Sequence, residues 1–286
     1  LESYNQAVRI KPDYALAYSN RGNILKGLNR FDEALKNYNR AIALNPKYAN
    51  AYANKGDAFK QFEKLEEAIL SYHRALNINP NLSFILGEYL NAKMRLCLWN
   101  NLPDSINEVV SRLNNKEMVV SPFALLSMVD DPELQRKAAE IYVNSKYPKN
   151  LSLPEIEKHV IVAKIRVGYF SADFRDHAVS HLSAGLYELH DRGKFEVHAF
   201  SFGPDSNDEF SLKVKAGVDH YHDVRSLSDK DVVILARSLN IDIAVDLGGF
   251  TQGSRTGIFA IQAAPIQVNY LGYSGTMGTD YIDYII

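Results

Sequence analysis

Offset by 34 residues, the first eighty residues of the chain match themselves. Ala17, Tyr18, Asn20 and Gly22 return as Ala51, Tyr52, Asn54 and Gly56. Glu33, Ala34, Tyr38, Ala41 and Pro46 return as Glu67, Ala68, Tyr72, Ala75 and Pro80. Tyr4, Ala7 and Pro12 fit the end of a preceding unit, so Leu1 falls inside a repeat and the chain reads as a piece of something longer. A period of this length demands a stack of small units, each unable to bury its apolar face alone and each completed by its neighbour. Glycine at a helix crossing permits close approach, and proline stops the second helix of each unit.

The period, the small residues and the closing prolines resemble the tetratricopeptide repeat. The resemblance implies an α solenoid over residues 1–80, with a concave surface that takes a protein or peptide partner. Asn20 and Asn54 hold equivalent places on the first helix of their units and would form a ladder there. A side-chain amide both donates and accepts, so it can pair with a peptide backbone without reading its sequence. Solvated surface asparagines are the equally simple alternative. Twelve basic and eight acidic residues over 1–80 give only a mild positive bias.

After Pro80 the period fails, with Leu90 where Gly22 and Gly56 stood. Helical spacing persists over 82–100, about 104–113 and about 131–143, the last after Pro132, so residues 81–155 read as an irregular helical linker. The stretch YPKNLSLPE, 147–155, holds two prolines and marks a boundary.

From Lys164 the pattern becomes strand then helix in alternation, over a region taken as 156–286. Strands are expected in KIRVGYFSA, FEVHAFSF, DHYHDV, IDIAVDLGG and PIQVNYLGYSG. Helices are expected from about Ser180 to His190, in DEFSLKVKAG, and in SDKDVVILARSLN behind an N-cap at Ser228. Such alternation implies a parallel sheet covered on both faces, a doubly wound α/β lobe. Its ligands belong beyond the carboxyl ends of the strands, where SADFRDH, GGFTQGSR and GYSGTMG would share one rim. No G-x-G-x-x-G follows the first strand, which argues against a nucleotide-dependent oxidoreductase.

A net charge of −2 gives no reason to expect nucleic acid or an anionic membrane as partner. No apolar run approaches the roughly 18 residues of a membrane span. The single cysteine, Cys97, excludes an internal disulfide and suits a cytoplasmic setting.

The segment DFRDHAVSHL, 173–182, concentrates titratable groups at a strand exit. His177 and His181 are four apart, yet no third ligand is recognisable, so no metal is expected there. A histidine titrates near neutral pH and can take a proton from a hydroxyl, and Asp173 is close enough in sequence to fix its tautomer. Asp173 or Asp176 could instead cap the following helix. His181 is expected to face the helix–sheet interface, and His198, His220 and His222 to serve packing or surface roles.

The order of these motifs, from the repeats through SPFALLSMVDDPELQRKAAE and RVGYFSADFRDHAVSHL to APIQVNYLGYSGTMGTDYIDYII, resembles the O-linked N-acetylglucosamine transferases and SPINDLY proteins of glycosyltransferase family 41. The resemblance implies a GT-B catalytic region of two Rossmann-like lobes, of which this chain carries the first. It also implies inverting transfer of one sugar to serine or threonine of intracellular proteins, from a nucleotide sugar as substrate and without a metal or other cofactor. On that likeness His177 is catalytic and Asp173 supports it, while Leu271 and Gly272 border the donor sugar. The resemblance puts Ala178 and Val179 beside the donor sugar too and makes UDP-N-acetylglucosamine the expected donor; because some members have proline and threonine at those two places, GDP-fucose, the SPINDLY donor, stands as the alternative. A chain without the second, nucleotide-binding lobe is expected to transfer nothing by itself. A non-catalytic scaffold built on the repeats is the rival from another class.

Overall fold

The computed structural model describes residues 1–156 and 163–286. The chain divides into two compact units, Leu1–Ala138 and Ala139–Ile286. The region expected from 156 onward therefore includes 157–162, which lie outside the described residues.

The first unit is helical. Helices α1 (Glu2–Ile10), α2 (Ala15–Gly27), α3 (Phe31–Leu44), α4 (Ala49–Gln61) and α5 (Leu65–Ile78) follow the repeat, with α2 and α4 starting the two full units. The period has a physical cause in one contact made twice. A Cβ on Gly22 would lie 2.6 Å from the Tyr38 ring, and one on Gly56 would lie 2.6 Å from the Tyr72 ring. Each tyrosine is fully buried, and its hydroxyl donates back to the first helix, Tyr38 to Asn23 Oδ1 and Tyr72 to Asp57 Oδ1, both at 2.8 Å. Burial pushes the pKa of both phenols up. Pro12, Pro46 and Pro80 each stand two residues past a helix end, as the chain-stopping role requires.

Beyond the repeats come α6 (Ile85–Arg95), α7 (Leu102–Asn114), α8 (Pro122–Leu126) and α9 (Pro132–Lys146). The sequence pattern anticipates all but the short α8. Gly87 on α6 packs against Val120, and its amide donates to the Val119 carbonyl at 2.9 Å. The segment 119–120 thus packs directly on α6.

The second unit is a six-stranded sheet. Its strands are β1 (Ile165–Ser171), β2 (Phe195–Ser201), β3 (His220–Asp223), β4 (Ile243–Asp246), β5 (Ile266–Asn269) and β6 (Tyr284–Ile285). They are ordered β3-β2-β1-β4-β5-β6, and every neighbouring pair is parallel. Between them run α10 (Ala178–Glu188), α11 (Glu209–Gly217), α12 (Asp229–Ser238) and α13 (Gly257–Ala260). The short β6 and α13 carry too few residues for a periodic signal.

This is the doubly wound order whose strand direction of travel reverses between β1 and β4, and the crevice for ligands opens there. On one side of the sheet Val167, Tyr169, Val197, Ala199 and Val245 pack with Ala184, Tyr187 and Val214 of the helices. On the other, Phe170 stacks on Phe200 with centroids 4.4 Å apart. Segment 147–155, read as a boundary, lies within this unit. The Asn150 amide donates to the Ala260 carbonyl at 2.8 Å, and Arg237 Nη1 donates to the Pro154 carbonyl at 2.6 Å.

Candidate active site

Three loops leave the carboxyl ends of β1, β4 and β5, and glycine is what lets them meet. A Cβ on Gly272, after β5, would collide with the Leu247 carbonyl of the β4 loop and would touch Val179 Cγ2 of α10 at 3.4 Å. Gly249 has φ +57°, and a Cβ there would collide with Tyr273. A Cβ on Gly253, which has φ +82°, would lie 3.4 Å from the Ala172 methyl group of the β1 loop. A Cβ on Gly203, after β2, would collide with the Ala172 carbonyl. The loops expected from sequence to share one rim therefore lie against one another.

Leu271 stands out on that rim. Its φ is +70°, a left-handed backbone in a residue with a branched side chain. The other described non-glycine residues with positive φ flank helix ends, whereas Leu271 follows a strand. Strain of this kind, of order 1–3 kcal/mol, persists only where the surroundings impose it. The next residue, Gly272, packs against the Leu247 carbonyl.

The β1 loop carries the titratable groups. Asp173 is buried; its amide donates to Ser171 Oγ at 2.9 Å, and its carbonyl accepts from the buried Ser180 hydroxyl at 2.6 Å. Its carboxylate Oδ1 accepts from Arg175 Nη2 at 3.3 Å. The Asp176 amide donates to Asp208 Oδ2 at 2.9 Å, so the loop is anchored at both ends.

His177 is itself the N-cap of α10, its Nδ1 accepting from the Val179 amide at 3.3 Å. That corrects the expectation that Asp173 or Asp176 caps this helix. The Asp173 carboxylate pairs with Arg175 and that of Asp176 with His181, while His177 occupies the extended position just before the first turn. Asp173 Oδ2 lies 3.7 Å from His177 Nδ1, an electrostatic contact longer than a hydrogen bond. An Nδ1 that accepts from Val179 carries no proton, so the neutral ring in this arrangement has its proton on Nε2. The side chain is 38% exposed.

His181 also departs from expectation. It is exposed, with Nε2 2.7 Å from Asp176 Oδ1 and its ring 3.9 Å from that of Phe210. The interface place goes to Ser180, Ser183 and Ala184, which are buried. Ala178 is exposed and Val179 buried.

Sequence reading missed a buried polar pair at the same rim. Asp246 and Asn269 are register partners at the ends of β4 and β5. Asp246 Oδ1 accepts from the Gly248 and Gly249 amides at 2.9 and 3.0 Å, which shapes the glycine turn. Asp246 Oδ2 and Asn269 Oδ1 are buried, and neither has a hydrogen-bond partner among the described residues. Burial raises the Asp246 pKa above the usual carboxylate range, against the pull of the two amides. A polar residue closing an otherwise apolar strand just before Leu-Gly-Gly was the available signal.

In the first unit Asn20 and Asn54 are both half-buried, and Asn54 Nδ2 donates to Ser19 Oγ at 3.1 Å. The position one period further on is Glu88, which is paired with Lys60 and accepts from Ser121 Oγ.

Tetratricopeptide-type helices followed by a doubly wound parallel lobe, with a histidine-bearing loop at its switch point, define the architecture of a repeat-fused Rossmann-like protein. The profile of glycosyl transferase family 41 matches residues 143–286, and tetratricopeptide-repeat profiles match 1–29, 22–62 and 49–82. The chain belongs to glycosyl transferase family 41. It is 32% identical over 206 residues to SEC of Arabidopsis thaliana, a probable UDP-N-acetylglucosamine–peptide N-acetylglucosaminyltransferase, covering 67% of this chain and 21% of that protein. It is 34% identical over 127 residues to SPINDLY of the same plant, covering 43% of this chain and 14% of that protein. An O-GlcNAc transferase variant of Thermobaculum terrenum superposes with a TM-score of 0.61 at 25% identity, over 99% of this chain and 49% of that one. The chain thus spans about half of that structure and about a fifth or less of these plant relatives. Among the described residues no helix is long and apolar enough to cross a membrane.

Proposed function

We propose that this chain is part of a protein O-glycosyltransferase that moves one sugar from a nucleotide sugar to a serine or threonine hydroxyl. The observation that carries the reading is the seat of His177. It caps α10 at the exit of β1, two residues before Val179, which stands beside the close approach of Gly272 to the Leu247 carbonyl, and its side chain is 38% exposed.

The reaction is a direct displacement. The acceptor oxygen forms a bond to the anomeric carbon, the bond to the nucleotide diphosphate breaks, and the configuration inverts. His177 orients the acceptor hydroxyl or takes its proton. To take it at Nε2, the ring must carry its own proton on Nδ1, exchanging the Val179 bond for the Asp173 carboxylate. Asp173 is thereby a positioning residue. The transfer needs the nucleotide sugar as substrate and no resident cofactor.

The likeness to SEC supports UDP-N-acetylglucosamine as donor, with Leu271, Gly272, Ala178 and Val179 lining its sugar. The repeats supply the acceptor-binding surface, with Asn20 and Asn54 as backbone partners. The test is single-turnover transfer by the complete protein with saturating UDP-N-acetylglucosamine, run in parallel with GDP-fucose. His177→Ala should lower the rate about hundredfold or more with little change in melting temperature, the usual scale for a positioned acid or base. Near-normal turnover in that variant removes His177 from the chemistry, and transfer from GDP-fucose alone reassigns the donor.

A further inference from the structure

We propose that Glu196, His198 and His220 form a binding site for a divalent transition-metal ion of the zinc class. The three lie on adjacent strands at the sheet edge. His198 of β2 sits opposite His220 of β3 in the parallel register, and Glu196 precedes His198 by two residues, on the same face. Glu196 Oε1 is 3.1 Å from His198 Nε2 and 3.2 Å from His220 Nε2, and the three ligand atoms lie within 4.8 Å of one another. Metal–ligand bonds of about 2.0–2.1 Å in tetrahedral array put neighbouring ligand atoms about 3.3 Å apart. The two carboxylate–imidazole distances already have nearly that spacing, and the two imidazole nitrogens lie within 4.8 Å of each other.

The second nitrogen of the buried histidine is also accounted for. His198 Nδ1 lies 3.1 Å from His222 Nε2, so His222 can accept the Nδ1 proton and leave Nε2 free to coordinate. A ligating histidine characteristically has such a partner behind it. Exposure rises outward from His198, at 2%, to His220, at 51%, which closes the site on one side and leaves a fourth position for water. Arg166 Nε, 3.5 Å from Glu196 Oε2, holds the other carboxylate oxygen away from the histidines. Two imidazoles with one carboxylate favour zinc, cobalt, nickel or copper over magnesium or calcium.

The site lies toward the amino ends of its strands, away from the carboxyl-end rim, so it is independent of sugar transfer. Its effect would be mechanical. β3 is a four-residue edge strand, and an ion shared between His198 and His220 would clip it to β2.

The test uses the metal-stripped chain titrated with zinc by calorimetry and with cobalt by visible absorption, with magnesium as control. The expected result is about one equivalent of zinc, cobalt bands of low-coordinate geometry, no magnesium binding, and a higher melting temperature with zinc. His220→Ala, at a half-exposed position, should weaken zinc at least tenfold and keep the fold by circular dichroism. Glu196→Gln should weaken it with its hydrogen bonding largely retained, and His73→Ala, an exposed histidine elsewhere, should change nothing. No zinc binding, or equal binding by the wild type and a folded His220→Ala, overturns the proposal and leaves a hydrogen-bonded His–Glu–His group.

Discussion

The repeats and the α/β lobe both depend on glycine, but the glycines answer to different partners. Gly22 and Gly56 each face a tyrosine ring on the next helix, and the same contact recurs one period later. Gly203 and Gly272 face backbone carbonyls, of Ala172 and Leu247, that belong to a different strand's loop. A ring can shift at a cost, whereas a carbonyl locked into a strand exit cannot. The repeat glycine therefore sets a helix spacing, and the rim glycine sets where two loops cross. Only the second decides the shape of a site.

That difference is sharpest at Gly272. Gly272→Ala should cost about 3 kcal/mol, the upper end for overpacking, because the added methyl meets backbone. Transfer should be lost with it, and denaturant melts beside turnover would show both. Wild-type stability in that variant breaks the comparison.

Gly56→Ala should cost somewhat less, about 2 kcal/mol, because Tyr72 must move while its hydroxyl still serves the half-buried Asp57. Transfer to a short peptide should survive below the melting point. Loss of peptide transfer in folded protein would show that the two glycine roles are not separate.

Replacing both Asn20 and Asn54 with alanine should lower transfer to protein acceptors about fivefold, the worth of roughly one net hydrogen bond. Transfer to a short peptide should stay the same. Because Asn54 also donates to Ser19, a melting curve separates lost binding from lost packing.

Asp246 gives a test by pH. Its pKa is raised on folding, so the unfolded carboxyl ionises first as pH rises. The stabilising contribution is complete below the ordinary carboxylate value of about 4 and is lost as pH climbs through the folded value. Asp246→Asn should gain on the wild type from about pH 4 until the folded value is passed, and then hold level, in denaturant titrations. A constant gap would mean that Asp246 does not titrate above its ordinary value.

The smallest effect is expected at His181. Its pair with Asp176 is exposed, and such pairs contribute under about 1 kcal/mol. His181→Ala should leave both melting temperature and transfer near wild type, whereas the sequence expectation of an interface residue required a clear loss of stability.

How much was legible depended on how far each partner lay along the chain. The repeat was readable in full because a glycine and its tyrosine fall within one period. The strand–helix alternation placed β1 to β5 and the main helices, and it put His177 at a strand exit. The short β6, α8 and α13 were missed, since two to five residues carry no period.

By itself the sequence determined the stack of paired helices, the class of the parallel lobe and the three polar stretches at its rim. Each follows from local spacing of apolar residues, glycine and proline. Tertiary structure alone decided that His177 caps its own helix, and that Asp173 stands 3.7 Å from the ring. It also turned His181 outward, left Asp246 and Asn269 side by side, and brought Glu196, His198 and His220 together. These depend on the register between strands and on which backbone groups are already satisfied. Neither is written in the periodicity of any one segment, because both are fixed only when distant strands pair.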